Sequence, residues 1–173
     1  MKQNWLVAGL DALRKGGVGE VRVERLAADL GITKGSFYWH FRNRGQLLEA
    51  LLEFWSREMT DVEFERIQAL ESGLARRLLA LAEDVLEKGM GRYDPAIRVW
   101  ARNDRKVAAA VGQVDRRRVR ALAGLFEESG FGAGDARTRA RLFYTFLLGE
   151  PQVRAPAREA GELERMVKIL AAP

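Results

Sequence analysis

Apolar residues recur every three or four positions along nearly the whole chain, with polar and charged residues between them, and no stretch alternates as a half-buried strand does. The spacing predicts an all-α protein of about nine helices. The first runs over 3–15 on Leu6, Leu10 and Leu13, and two short ones follow at 23–30 and 34–41. A long fourth helix is expected over 44–70, with Leu48, Leu51, Trp55, Met59 and Val62 as its inner stripe. The remaining helices are expected at 74–89, 95–101 (opened by Asp94-Pro95), 105–129 (capped by Asp104), 135–148 and 158–171. The segment 149–157, with Pro151 and Pro156, reads as a loop.

The sharpest local pattern lies between the second and fourth helices. Val23, Leu26, Ala27 and Leu30 make one apolar face, and small Ala27 lets two helices cross closely. Gly31 follows the last apolar position, where a left-handed residue ends a helix at little cost. Thr33 is expected to cap the next helix through its hydroxyl. Phe37 and Phe41 share a face and point to the core, which leaves Lys34, Ser36, Tyr38, Trp39 and His40 on other faces. Exposed aromatic, basic and hydroxyl groups on one short helix suit base edges and phosphates. Asn43 and Gln46 form a capping pair for the fourth helix, whose first turn carries Arg44, a further phosphate donor. A helical hairpin with surface aromatics, used as an adaptor for protein contacts, is the alternative that spacing alone leaves open.

These residues closely resemble the N-terminal DNA-binding domain of tetracycline-repressor-like (TetR family) transcription regulators. The matching features are an apolar-Ala-apolar helix, LGI, a Thr-initiated turn, FYWHF, the polar linker Arg42-Asn43, a basic residue and LL, with 1–17 supplying the first helix. The segment WARNDRKVAAAVGQVDRRRVRAL also looks like one found in many members. The resemblance implies a three-helix helix-turn-helix domain over 1–46 and a helical effector-binding and dimerisation domain over 47–173. It implies a homodimeric repressor that binds a palindromic operator in double-stranded DNA and is released by a small-molecule effector. Thr33, Lys34, Gly35, Ser36, Tyr38, Trp39 and His40 match recognition-helix positions. Arg44 matches the usual lysine that contacts the DNA backbone, and Arg22 and Arg25 join it there. Arg22 and Val23 depart from the pattern, because Thr or Ser commonly caps the second helix.

Further expectations follow from the same resemblance. A pocket among the fifth to eighth helices has Leu81, Val85, Trp100, Phe126, Phe143 and Tyr144 as candidate lining residues, each also an ordinary core residue type. The last two helices are expected to pair with those of a second subunit through Ala136, Ala140, Phe143, Leu147, Leu163, Met166 and Leu170. A two-fold dimer doubles the contacts of a helix that reads only a few base pairs.

Composition changes this picture little. The net charge is +5, and the first fifty residues hold eight Lys and Arg against five Asp and Glu. Positive charge is thus denser where phosphate binding is expected. There is no cysteine and one histidine, so no typical zinc site or disulfide is expected. No paired His-carboxylate, Gly-rich phosphate loop or HExxH occurs, Asp84 and Asp115 lack evident partners, and neither an enzyme nor a cofactor is expected. No apolar run reaches the roughly eighteen residues of a membrane span, no signal-peptide layout opens the chain, and a cytoplasmic, nucleoid-associated protein is expected.

Overall fold

A computed structural model describes residues 1–153 and 158–172. Among the described residues the secondary structure is helical, and the chain forms two compact units: Met1–Met59 with Arg92–Gly112, and Thr60–Gly91 with Gln113–Pro173.

The first unit holds α1 (Lys2–Gly16), α2 (Val23–Asp29), α3 (Lys34–Tyr38), α4 (Arg44–Ser56), α7 (Asp94–Ala101) and the start of α8 (Arg105–Glu128). Trp5, Leu10 and Leu13 of α1 are buried with Leu26, Phe37, Leu47, Leu51 and Trp55. The α1–α4 crossing is close because Gly9 has no side chain: a Cβ there would lie 2.9 Å from Leu51 Cδ2. Two polar links tie α7 into this unit. The Trp55 indole donates to buried Asp94 at 2.6 Å, and the Tyr93 hydroxyl donates to Asp11 at 3.1 Å while accepting from Arg92. Desolvation, outweighing the Arg92 guanidinium, raises the Tyr93 pKa above 10.0. Asp104 caps α8 as expected, accepting from the Lys106 and Val107 amides.

The fourth helix differs from expectation. It stops at Ser56, a π turn covers Arg57–Asp61, and α5 (Val62–Gln68) resumes the α geometry. The wider turn rotates the following residues off the predicted stripe. Leu51 and Trp55 are buried, but Leu47 takes the innermost place over half-buried Leu48, and Val62 is exposed. The side chain of Met59 lies outside the described residues.

The second unit packs α6 (Leu74–Leu86), the rest of α8, α9 (Ala133–Gly149) and α10 (Glu162–Ala171) around Ile67, Leu78, Leu81, Leu122, Phe126, Ala136, Ala140, Phe143 and Leu147. The last helix begins at Glu162, not at 158, because Gly161 adopts a left-handed conformation (φ 75°) immediately before it. The Glu162 carboxylate then accepts from the Glu159 amide. Of the expected loop 149–157, Gly149 ends α9, Glu150–Gln152 form a 3-10 turn, and 154–157 lie outside the described residues.

Ala136, Ala140, Phe143, Leu147 and Leu163, expected at a dimer interface, are buried in the core of the second unit. Met166 and Leu170 are half-buried. The large apolar residues that α9 and α10 turn outward are Leu142 (58 % exposed) and Ile169 (74 %). Among the effector-pocket candidates, Leu81, Phe126, Phe143 and Tyr144 are buried in the second-unit core with Val85 packed against it, and Trp100 is buried in the first unit. Asp84 and Asp115 are partnered after all: Asp84 meets Arg66 and Lys88, and Asp115 accepts from the Tyr144 hydroxyl at 2.7 Å.

Candidate nucleic-acid interface

The turn between α2 and α3 is set by Gly31. At φ 66° it allows the Ile32 amide to reach the Ala27 carbonyl (3.0 Å) while its own amide bonds Ala28 (3.1 Å). These two bonds satisfy carbonyls at the end of α2 in a Schellman arrangement, and the chain turns sharply into α3.

Two aromatic anchors hold α3. Phe37 is fully buried, edge-on to Trp5 at 5.2 Å, and Phe41 packs against it at 5.3 Å. The α-helical hydrogen bonding ends at Tyr38, shorter than the predicted 34–41, but a final turn persists because the His40 and Phe41 amides both bond the Phe37 carbonyl. With the phenylalanines inward, Tyr38 is 65 % exposed and Trp39 88 %. Lys34 and Gly35 are also exposed, and Ser36 and His40 are half-buried. The Ser36 hydroxyl lies 3.7 Å from the Met1 sulfur.

Thr33 precedes α3 as expected, but its hydroxyl makes no capping bond; the Ser36 amide bonds the Thr33 carbonyl instead. The Thr33 side chain therefore stays exposed and available to an external acceptor. Asn43 does cap α4, accepting from the Gln46 amide at 2.9 Å. The reciprocal bond reaches one residue further back than a capping box requires: Gln46 accepts from Arg42, not from Asn43.

Each expected phosphate-binding cation has a partner within the unit. Lys34 Nζ lies 3.0 Å from Glu24, Arg25 pairs with Glu20, and Arg22 Nε donates to the Gly19 carbonyl at 2.9 Å. Backbone hydrogen bonding and then Lys34 hold the Glu24 carboxyl below its ordinary pKa. Arg44 donates from Nε to the Val21 carbonyl at 2.6 Å and from Nη2 to the Val18 carbonyl. It thereby ties the start of α4 to the 3-10 turn Val18–Glu20. That role was not visible in the sequence, because carbonyl acceptors carry no residue signature. Two exposed cations also escaped notice. Arg42, beside the cap, has no side-chain partner among the described residues, and Lys2 lies over the Phe41 ring at 5.7 Å.

Comparison with known proteins meets this geometry directly. The profile of bacterial regulatory proteins, tetR family, matches residues 6–51, which span α1 to the middle of α4. The N-terminal module belongs to the tetR family. The class A tetracycline repressor protein from transposon 1721 of Escherichia coli is 46 % identical over 46 residues, which is 27 % of this chain and 21 % of that repressor. The chain aligns with only about a fifth to a quarter of the length of its curated relatives. Solved structures extend the likeness in fold to the whole chain. Reduced NemR of E. coli superposes with a TM-score of 0.73 at 18 % identity, covering 98 % of this chain and 94 % of that one. AibR, solved with isovaleryl coenzyme A and operator DNA, gives 0.69 at 19 % identity, covering 99 % and 98 %. At such identities the superpositions establish the fold. No helix of the described residues is long and apolar enough to cross a membrane.

Proposed function

We propose that this tetR-family chain is a dimeric transcriptional repressor that binds a palindromic operator and is released by a small-molecule effector. The observation that carries the reading is the pair Tyr38 and Trp39, two large aromatic side chains turned to solvent from a helix locked underneath by Phe37 and Phe41. Exposing that much apolar surface in a rigid frame is costly unless a partner covers it. Lys34, Gly35, Ser36, Tyr38, Trp39 and His40 read the major groove, and Arg22, Arg25, Thr33 and Arg44 hold phosphates, joined by Arg42. Residues 1–46 form the DNA-binding domain and 47–173 the effector-binding and dimerisation domain. Outward Leu142 and Ile169 on α9 and α10 support pairing with a second copy. The solved complex of AibR with both a coenzyme A thioester and operator DNA supports coupling of effector and DNA in this fold. The reading makes the chain a cytoplasmic, nucleoid-associated regulator and not an enzyme.

Selection of bound fragments from random duplex DNA tests the proposal. The expected product is an inverted repeat whose half-sites lie one helical turn apart or a multiple of it. Recovery of no common sequence, with no salt-dependent DNA affinity, overturns it.

A further inference from the structure

The outer sides of α8 and α9 enclose a half-open groove of about 770 Å³ in the second unit. Arg116 and Arg120 line it from α8, and Arg137 and Arg141 from α9. All four are exposed, and among the described residues none has an ion-pair or hydrogen-bond partner for its guanidinium. Within each pair the residues stand four apart, so like charges sit one helical turn from each other and repel.

Carboxylates are not in short supply nearby. Arg117 meets Asp61 at 3.3 Å, and Arg139 meets Asp135 at 2.8 Å and stacks on Phe131. The groove itself holds two acidic residues. Asp115 is engaged by the Tyr144 hydroxyl, and Glu127 stands exposed. Four guanidiniums against two carboxylates leave a clear positive excess. Between the charged walls runs an apolar strip of Val119, Ala123 and Leu148. A Cβ added at Gly124 would meet nothing within 4 Å, so the strip is open where a ligand would lie.

We infer that this groove binds a small organic phosphate carrying a hydrocarbon arm. The guanidinium fork matches phosphate oxygens in bidentate fashion, and the apolar strip takes the arm. The volume suits a ligand several times larger than inorganic phosphate. A second copy is a poor occupant, because a two-fold contact through this face would set four unpaired guanidiniums against four more.

Titration calorimetry on the full chain, with octyl phosphate below its micellar concentration, tests the assignment. Octyl phosphate is expected to bind at least tenfold more tightly than inorganic phosphate or octanol. The double variant R120E/R141E should lower that affinity at least tenfold, with a urea midpoint no lower than the parent's, because both side chains are exposed and the reversal removes the like-charge pairs. R120K/R141K should retain an intermediate affinity. Equal binding of octyl phosphate and octanol, or an undiminished affinity in the charge-reversed variant, overturns the inference. So does a short DNA duplex that competes at these arginines more strongly than octyl phosphate. Because the readout is ligand heat, the outcome is separate from whether the N-terminal module binds an operator.

Discussion

Arg44 fastens α4 to the Val18–Val21 segment, and its proposed phosphate contact can be separated from that role by experiment. Removing it as Arg44→Ala deletes two charge-assisted bonds, to the Val21 and Val18 carbonyls. Such bonds contribute about 1.5–3 kcal/mol each when shielded. Arg44 is exposed, so water replaces much of what is lost, and the net cost should be about 1–2 kcal/mol for the pair. Arg44→Lys keeps the charge, but a single ammonium lacks the fork that spans both carbonyls, so it should lose most of the same stability. Urea unfolding followed by tryptophan fluorescence is a fitting assay, because all four tryptophans (5, 39, 55 and 100) lie in the first unit. Both variants should unfold at lower urea than the parent. On DNA they should part: Arg44→Ala should flatten the salt dependence by about one unit of log–log slope, while Arg44→Lys should keep the parental slope. Unchanged urea midpoints in both variants would refute the fastening role. An unchanged slope in Arg44→Ala would refute the phosphate contact.

Trp39→Ala should shift stability by no more than about 0.5 kcal/mol and weaken specific DNA binding roughly 5- to 150-fold, whereas Phe37→Ala, from a fully buried site, should cost about 3–5 kcal/mol of stability. Paired urea and gel-shift titrations check this, and a reversed order would mean that α3 presents the other face. Glu24→Gln frees Lys34 from its carboxylate and should tighten DNA binding a few-fold with at most a small drop in urea midpoint; weaker binding would show that Glu24 itself contacts the complex. For Tyr93 the neutral form is favoured in the fold, so its contribution is complete below pH 10 and is lost as pH rises toward the elevated folded pKa. The parent's urea midpoint should therefore fall more steeply above about pH 10 than that of Tyr93→Phe; parallel curves would exclude the buried hydroxyl as the cause.

The sequence carried the helix-turn-helix more fully than the rest because its determinants are local. Gly31 enforces its turn, Asn43 caps its own helix, and Phe37 and Phe41 face inward by spacing alone. What was missed depends on distant or backbone partners. The π turn at Arg57–Asp61 has no glycine or proline to mark it, and the apolar stripe runs through it without a break. The α9 stripe shows the same limit. Periodicity identifies an apolar face but not what covers it, and Ala136, Ala140 and Phe143 turned to their own core while Leu142 turned away. The four arginines of the α8–α9 groove lie on two helices whose pairing no local pattern announces, so the sequence displayed only the run Arg116–Arg118. Within that run the structure buries Arg118, pairs Arg117 and leaves Arg116 unpaired.

The way the cations of the N-terminal module are held bears on how the proposed complex would discriminate. Arg22 and Arg44 are bound to carbonyls, which carry no net charge, so neither positive charge is offset by its partner and each guanidinium keeps spare N–H groups. A phosphate can accept those groups without displacing anything. Lys34 and Arg25 are held by carboxylates, and a phosphate must compete with Glu24 and Glu20 for them. Exposed ion pairs are weak enough for that exchange, yet they lower the charge that the module presents to arbitrary DNA. Sequence-independent affinity rises with the number of free cations, whereas the contacts of Tyr38 and Trp39 depend on the bases beneath them. In the proposed complex Glu24 and Glu20 would act as competitors that a correct site overcomes and an incorrect one does not, so carboxylates beside the recognition helix would favour specificity at the expense of raw affinity. If that reasoning holds, the double change E20Q/E24Q should raise affinity for random DNA by a larger factor than affinity for the selected operator, measured in the same salt titration. An equal gain on both would mean that the two carboxylates merely reduce charge and take no part in discrimination.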